Sequence, residues 1–244
     1  MTRLIVLAAI ELEARALARQ LELPRIATAS FPLYEGRVTA SAGDVVARLR
    51  VAPVGLRAEL LPERWAAVNA DWELPLVISA GACGALAPTL SRGDLILPES
   101  VLGPSGVRLN VTPSAHRAAV EHAPHAETGL LLTTADVAPT PQVKRDLWRA
   151  TGAAAADMES AAILDWAARH GCPSLVVRAV ADTAAQELPE GLIRLVTPQG
   201  KLRIARAMAL AVTSPGSIPQ ALLLHRGTSR ALRSVARLLA ALAG

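Results

Sequence analysis

The chain has 244 residues and a formal net charge of +4, and 52% of its residues are hydrophobic although only 2% are aromatic. This length and apolar content suffice for a large buried core, which must be built mainly from Ala, Val, Leu and Ile. The small positive charge is spread along the chain, which argues against a nucleic-acid-binding protein, because such proteins cluster their basic residues.

The N-terminal part of the chain predicts strands and helices in alternation. Residues 3–10 (RLIVLAAI) form a continuous apolar run typical of a buried strand, and residues 11–21 have helical composition. Segments 32–40 and 45–55 flank the turn signal SAGD and are predicted to form a hairpin. A strand followed at once by a helix indicates an α/β sheet, in which functional groups gather at the carboxyl ends of strands.

The rest of the chain continues this alternation. Buried strands are predicted at 74–88, 92–100, 127–137 and 173–184. A helix is predicted over 141–152, closed by Gly152, and a short strand leading into a helix over 153–171. A longer C-terminal part, about 186–244, is predicted to be helical with proline-rich interruptions. Because neither a repeat nor a linker is visible, residues 1–244 are predicted to form one domain.

The cysteines and the N-terminal sequence indicate the cellular compartment of the protein. Cys83 and Cys172 form neither a metal-ligand spacing nor a disulfide framework, so a reducing cytoplasm is predicted. The apolar run 4–10 is too short to span a bilayer and lacks the cleavage site of a signal peptide. The five histidines have no metal-ligand spacing either, so neither a metal nor a cofactor is predicted.

Polar residues follow several of the predicted buried strands. Glu13, the pair Asp157 and Glu159, Asp182 and the glycine-rich turn 79–85 (SAGACGA) all lie where a strand ends. Taken singly, each acid is explained well by a helix start, where carboxylates cap the helix or favour its dipole. Their coincidence instead favours a crevice in which partly desolvated acids act in proton transfer.

Three segments resemble the purine nucleoside phosphorylase/uridine phosphorylase superfamily in their order and separation. They are 79–100 (SAGACGALAPTLSRGDLILPES), 156–163 (ADMESAAI) and 176–184 (VVRAVADTA). The resemblance covers about residues 3–184 and is closest to the nucleosidase branch, the 5′-methylthioadenosine/S-adenosylhomocysteine nucleosidases. It implies a three-layer α/β/α fold with a mixed central sheet, and cleavage of the N-glycosidic bond of a nucleoside.

The resemblance also implies a role for each acid. Asp182 matches the acid that protonates N7 of the purine, and such an acid needs a raised pKa to hold its proton near neutral pH. Glu159 matches the glutamate that binds the ribose hydroxyls, and Met158 the methionine that packs against the sugar. Glu13 matches the glutamate that deprotonates the attacking water. Asp157 is interpreted as a helix cap.

Further residues are expected to contact the substrate. The resemblance implies contacts from Gly81 and Ala82 in the glycine-rich turn and from backbone groups near Val137 and Ala138. Nucleosidases of this branch place an aromatic residue, which stacks on the base, where Val137 stands. This departure weakens the prediction that methylthioadenosine is the substrate.

The same comparison favours water over phosphate as the nucleophile. Phosphorylases of the superfamily hold phosphate with arginine and serine, which are suited to an anion. The matching positions here are Ser79 and Ala82, and Glu13 stands near the position of a further phosphate-binding arginine. Arg57 and Arg178 remain available for an anion, although Arg178 is also explained by a buried ion pair.

The nature of the 5′ substituent is addressed by a second resemblance. The GACGAL turn, the ADMES motif and the long C-terminal part are similar to hopanoid-associated phosphorylase-like proteins, which implies release of adenine from adenosylhopane. Alternatives are a methylthioadenosine/S-adenosylhomocysteine nucleosidase and a true purine nucleoside phosphorylase. The non-enzyme alternative is an inactive nucleoside-binding module. The family also implies a homo-oligomer, a dimer or larger.

The C-terminal segment predicts an amphipathic helix. Four arginines share one face and four apolar residues lie largely on another, namely Arg226, Arg230, Arg233, Arg237 and Leu232, Val235, Leu239, Leu242. A helix that packs on the domain with a solvated basic face is the favoured interpretation. Peripheral contact of residues 226–244 with anionic lipid is the alternative.

Overall fold

The computed structural model describes residues 2–39, 45–188 and 218–244. Within these ranges ten strands join in one sheet, accompanied by six α-helices and a 3₁₀ helix at Leu56–Ala58. The strands are β1 (Thr2–Ala8), β2 (Tyr34–Thr39), β3 (Val45–Pro53), β4 (Leu76–Ala85), β5 (Leu95–Ile96), β6 (Ser100–Leu102), β7 (Arg108–Asn110), β8 (Leu130–Thr133), β9 (Ala155–Asp157) and β10 (Ser174–Asp182). The helices are α1 (Glu11–Gln20), α2 (Leu61–Asn69), α3 (Pro113–His122), α4 (Pro141–Thr151), α5 (Ser160–Arg169) and α6 (Ile218–Ala243).

The sheet is mixed, as predicted. Its main path runs β2-β3-β1-β4-β9-β8-β6-β7, while β10 pairs with β4 and with β5. Strand β4 is parallel to β1 and β10 and antiparallel to β9, and the predicted hairpin is the antiparallel pair of β2 and β3. Strand β4 therefore contacts three other strands, β1 along its amino-terminal half, β10 along most of its length and β9 at its carboxyl end.

Helices cover both faces of the sheet. In β1, Leu4 and Val6 join a core cluster that includes residues of α1 and α6. Their neighbours Ile5 and Leu7 join a second cluster with residues of α2 and α5. Because successive strand side chains point to opposite faces, this alternation shows that a helical layer lies on each side. The predicted three-layer α/β/α fold is confirmed.

Several elements differ from the prediction. Helices α2 and α3 and the β6–β7 hairpin were not expected, although Leu61, Trp65 and Val68 of α2 are buried at helical spacing. Strands β5 and β8 are shorter than their predicted segments, because β5 pairs with only two residues of β10 and β8 makes three pairs with each neighbour. About half of the predicted C-terminal helical part, residues 189–217, lies outside the described ranges.

Helix α6 packs on the sheet as the favoured interpretation predicts. Leu232, Val235 and Leu239 are buried, and the four arginines of the predicted basic face are exposed. The helix approaches β10 closely at Gly227, where a Cβ atom would lie 1.9 Å from the Ala181 carbonyl oxygen. Within the described part of the chain, no helix combines the length and apolarity needed to cross a bilayer. Lipid contact by 226–244 stays a prediction.

Candidate active site

The predicted acids meet around the carboxyl end of β4. Gly84 pairs with Ala156 of β9 and with Asp182 of β10, so the ends of two other strands flank it. Two residues earlier, the Ala82 N–H donates a hydrogen bond to Glu13 Oε1 at 3.0 Å. Cys83, which lies between Ala82 and Gly84 in the chain, is buried. Burial raises the pKa of its thiol, the charge of Arg178 lowers it, and three nearby carboxylates raise it further. It is a small buried group, not a nucleophile.

Asp182 is positioned by an irregularity in β10. The pairing register with β4 shifts between Val180 and Asp182, which is a β-bulge, and bulges re-aim side chains next to functional sites. A Cβ atom on Gly84 would lie 3.1 Å from Asp182 Oδ2, so the glycine leaves room for the carboxyl group. Burial raises the pKa of Asp182, and the charge of Lys144 opposes this rise. The predicted direction of its pKa is confirmed.

Lys144 is a member of the site that the sequence analysis missed. It lies on α4, which begins with Thr140 accepting from the Val143 N–H and ends at Gly152 in the left-handed conformation, as predicted. Its ammonium group donates to Asp182 Oδ2 at 2.5 Å and to the carbonyl oxygens of Thr183 and Gln186 at 2.9 Å each. A usable signal was its rarity, since Lys144 and Lys201 are the only lysines among 25 basic residues.

Glu13 has the environment of a general base. It lies in the first turn of α1 and is only 6% exposed. Its Oε1 accepts from Ala82, whereas its Oε2 has no hydrogen-bond partner among the described residues. Burial raises the pKa of Glu13, opposed by the charge of Arg178 and by the Ala82 hydrogen bond. A buried carboxylate oxygen without a protein partner is suited to a water molecule.

Glu159 precedes α5 and is held by a strained segment of backbone. Its Oε1 accepts from the Arg57 N–H at 3.2 Å, and Arg57 has a left-handed backbone conformation with φ of 56°. For a residue other than glycine this conformation costs about 1–3 kcal/mol and is typical of functional sites. Burial raises the pKa of Glu159 to about 8, although Arg178 lowers it. Met158 beside it is half-buried.

Arg178 and Asp157 form a buried ion pair behind these acids. Arg178 Nη2 lies 2.7 Å from Asp157 Oδ2 and 3.9 Å from Glu159 Oε2. Asp157 also accepts from the N–H of Ser160, the first residue of α5, at 3.0 Å. The N-cap position itself is Glu159, so the prediction that Asp157 is the N-cap residue is corrected: Asp157 ends β9 and binds the helix start from there. Arg178 also donates to Ser79 Oγ at 2.8 Å. Of its two interpretations, the buried ion pair is therefore correct.

The remaining predicted residues border this cluster. A Cβ atom on Gly81 would lie 2.8 Å from Arg178 Nη1, so only glycine fits between Arg178 and Glu13 without a shift. The Arg57 guanidinium donates to the Ala135 carbonyl at 2.8 Å and thereby ties the segment carrying Val137 and Ala138 to the neighbourhood of Glu159. Both residues are half-buried. Substrate contacts by Gly81, Ala82, Val137, Ala138 and Met158 stay predictions.

An apolar cleft of about 250 Å³ opens beside Asp182. It is lined by Ala184 and Ala185, which follow the acid in the chain, and by Arg145 and Trp148 of α4. Trp148 is 37% exposed and supplies an aromatic surface that the segment around Val137 lacks.

The structure is a mixed sheet between two helical layers, with buried carboxyl groups clustered beside the carboxyl end of β4. A family model described as the phosphorylase superfamily matches residues 3–213, so the chain belongs to this family. The predicted family is thereby confirmed. No curated protein matches the chain significantly in sequence.

Solved structures show the same fold. A mutant of Helicobacter pylori MTAN with 5′-methylthioadenosine in its active site is 13% identical, with a TM-score of 0.71, and the match covers 99% of this chain and 98% of that one. The Neisseria meningitidis 5′-methylthioadenosine/S-adenosylhomocysteine nucleosidase is 18% identical, with a TM-score of 0.69 and coverages of 99% and 98%. The futalosine hydrolase of Helicobacter pylori is 14% identical, with a TM-score of 0.69 and coverages of 99% and 97%.

Proposed function

We propose that the chain is a nucleosidase that hydrolyses the N-glycosidic bond of a 5′-substituted adenine nucleoside and releases adenine. The observation that carries this proposal is the convergence of Glu13, Glu159 and Asp182 around the end of β4, each of them buried with a raised pKa. Burying three carboxyl groups together is costly, and such clusters with shifted pKa values are typical of catalytic sites.

Each acid has a defined task in this reaction. Asp182 transfers its proton to N7 of the base, and the electron pair of the C1′–N9 bond moves into the purine as that bond breaks. Glu159 accepts hydrogen bonds from the ribose hydroxyls and holds the sugar as it gains oxocarbenium character. Glu13 takes a proton from the water that forms the new bond to C1′. General acid and general base catalysis each contribute about 10²–10⁴ in rate.

The charges at the site favour water over phosphate. Arg178, the cation nearest to Glu13 and Glu159, is paired with Asp157 and contacts Glu159. The unpaired oxygen of Glu13 would meet an incoming phosphate with a negative charge. Placing an anion against a buried carboxylate costs several kcal/mol of free energy, whereas a neutral water molecule is not repelled by the carboxylate.

Among 5′-substituted adenine nucleosides, adenosylhopane is the proposed substrate. Two features support it: the long C-terminal part, rich in Pro, Leu and Arg, and the aliphatic Val137 where methylthioadenosine nucleosidases carry an aromatic residue. Methylthioadenosine and S-adenosylhomocysteine are the alternative substrates, and two of the similar structures are nucleosidases of this kind.

An adenine-release assay tests the proposal. Purified protein is incubated with adenosylhopane, methylthioadenosine and adenosine, each with and without inorganic phosphate, and products are separated by chromatography. We expect adenine and a free 5′-substituted ribose at the same rate with and without phosphate. Formation of ribose 1-phosphate species would make the protein a phosphorylase. Binding without any cleavage would make it a nucleoside-binding module. High efficiency on methylthioadenosine with none on adenosylhopane would overturn the finer assignment.

We also propose a cellular location and an oligomeric state for the protein. A reducing cytoplasm is supported by Cys83 and Cys172, which are both free thiols, and is tested by fractionation of cells. A homodimer is supported by the family resemblance and is tested by light scattering.

For lipid contact, truncation of α6 is unsuitable because its apolar face belongs to the core. Substituting Arg233 and Arg237 with glutamine and comparing liposome co-sedimentation tests it instead.

A further inference from the structure

The contact between Lys144 and Asp182 is unusual for a proton donor. A general acid must carry a proton, yet a lysine ammonium group lies 2.5 Å from Asp182 Oδ2. Lys144 is 1% exposed and Asp182 is 5% exposed, so water does not screen this contact. The structure therefore places a full positive charge against the group that is proposed to donate the proton.

The protonation state of Lys144 follows from its partners. Lys144 Nζ has three acceptors within 2.9 Å, the Asp182 carboxylate and the Thr183 and Gln186 carbonyl oxygens. A charged ammonium group has three donors and no acceptor, so this geometry satisfies it completely. Two of the three acceptors are carbonyls of the chain that directly follows β10, and they hold the ammonium group in place irrespective of the state of Asp182.

We propose, on the basis of the proposed function, that Lys144 is a positioning residue for the acid. It holds the Asp182 carboxyl group through Oδ2, which leaves Oδ1 to carry the transferable proton. When that proton moves to N7 of the base and the C1′–N9 bond breaks, Asp182 becomes a carboxylate. Lys144 stabilises this carboxylate by the same hydrogen bond, now fully charge-assisted.

Two opposing influences then set the acid strength of Asp182. Burial raises the pKa of Asp182, and the Lys144 charge and hydrogen bond lower it, with a smaller lowering by Arg92. Cys83 of β4 also lies within range of the Asp182 charge. Without Lys144, burial would act almost unopposed, and Asp182 would hold its proton too tightly to donate it well.

The test is the pH profile of Lys144→Met, which removes the charge and keeps the length of the side chain. We expect kcat/KM for adenine release to fall about tenfold to a hundredfold, since misplacement of a catalytic group has effects of this size. The basic limb of the profile, where Asp182 loses its proton, should move upward by about one pH unit or more. Arg149→Met, which removes an exposed charge five positions further along α4 and outside the cleft, serves as the matched control and should leave the limb unchanged.

A double variant separates this role from a structural one. In an Asp182→Asn background, Lys144→Met should change the residual activity less than about twofold, because the carboxylate on which Lys144 acts is gone. An equal loss in both backgrounds, or an unmoved basic limb, would overturn the proposal. If Lys144→Met does not fold, Lys144→Gln is used in the same comparison, and Lys144→Arg should keep the limb at its wild-type pH.

A measurement without substrate distinguishes failure of this inference from failure of the proposed function. The Asp182 side-chain carboxyl is titrated by carbon-13 NMR and assigned with Asp182→Asn. A higher titration midpoint in Lys144→Met supports the proposal even if the wild-type protein releases no adenine, in which case only the proposed function fails. An unchanged midpoint overturns the inference even if the enzyme is active.

Discussion

Arg178 Nη2 lies 2.7 Å from Asp157 Oδ2, and both side chains are 1% exposed. This ion pair adjoins Glu159 and the turn that binds Glu13. Its arginine places a positive charge next to Glu13 and Glu159, two buried carboxyl groups whose pKa values burial raises. This charge reduces the free-energy cost of burying them.

Arg178→Met should destabilise the protein strongly. The substitution leaves Asp157 as a buried carboxylate without its counterion, which costs about 3–5 kcal/mol. Urea unfolding measures this loss, with Arg169→Met as the control, because Arg169 forms an exposed pair with Asp165. Equal losses for the two variants would contradict the account of the site.

Asp182→Asn should abolish most turnover while the nucleoside still binds. Asparagine keeps the shape of the side chain but has no proton to donate to N7, so we expect kcat to fall about 10²–10⁴-fold. Adenine release measures kcat, and calorimetry with the intact nucleoside measures binding. Asp165→Asn, on the exposed side of α5, is the control. Near-normal turnover of Asp182→Asn would assign the acid elsewhere.

Glu13→Gln should act on kcat and leave KM nearly unchanged. Glutamine can still contact the turn at Ala82, but it cannot take a proton from water, and we expect a loss of about 10²-fold or more. Steady-state adenine release separates kcat from KM. Glu121→Gln removes an exposed acid of α3 and should have wild-type kinetics. A rise in KM without a fall in kcat would indicate a binding role for Glu13.

Glu159→Gln should make the protein more stable at neutral and alkaline pH. The folded chain raises the pKa of Glu159 from 4.5 to about 8, so it binds this proton more tightly than the unfolded chain does. The wild type therefore loses stability as the pH rises between these two values, and a neutral glutamine does not. We expect Glu159→Gln to be about 2–4 kcal/mol more stable than the wild type at pH 8.

This advantage of Glu159→Gln should vanish towards pH 4, where Glu159 is protonated in both states. Denaturant unfolding across pH 4–8 measures it. Adenine release should fall in the same variant because glutamine replaces one carboxyl oxygen, an acceptor for the ribose hydroxyls, by an NH₂ donor. A variant that is less stable than the wild type at pH 8 would show that the carboxylate of Glu159 stabilises the fold.

Gly84→Ala should impair the acid without unfolding the chain. The added Cβ atom would lie 3.1 Å from Asp182 Oδ2, so the carboxyl group must shift by a few tenths of an ångström. We expect kcat to fall about tenfold, because small misplacements of catalytic groups have large effects. Gly129→Ala is the control, since its Cβ would meet only the far end of the Glu127 side chain. Equal kinetics in both variants would show that Gly84 has no part in positioning the Asp182 carboxyl group.

The sequence predicted the central strands of the sheet better than the periphery of the fold. The apolar strands β1, β4 and β10 were predictable because both of their faces are buried, which leaves an uninterrupted apolar run. Helix α3 was missed because only Ala119 of it is buried, so it has no apolar stripe. Strands β6 and β7, of three residues each, are too short for a period-2 pattern.

The acids themselves could be predicted, but their partners could not. Glu13 and Glu159 follow β1 and β9 in the chain and Asp182 ends β10, and an acid where a buried strand ends was the signal that marked each of them. Their meeting point did not follow from parallel strands alone, because β9 runs antiparallel to β4. Lys144 lies 38 positions from Asp182 along the chain, and no local pattern marks it as buried. The function of Arg178 was ambiguous for the same reason, since a strand sequence does not say which carboxylate will lie opposite.

The sequence by itself determined the family and the order of strands and helices around the candidate site, and it singled out the three acids as candidates, because these depend on local patterns and on residue types. The tertiary structure decided which charges oppose one another. Pairing of Arg178 with Asp157 and of Lys144 with Asp182 depends on distances between elements remote in the chain. Charge interactions inside a protein change strongly over a few ångströms, so these distances, and not the residue types, set the pKa values of the site.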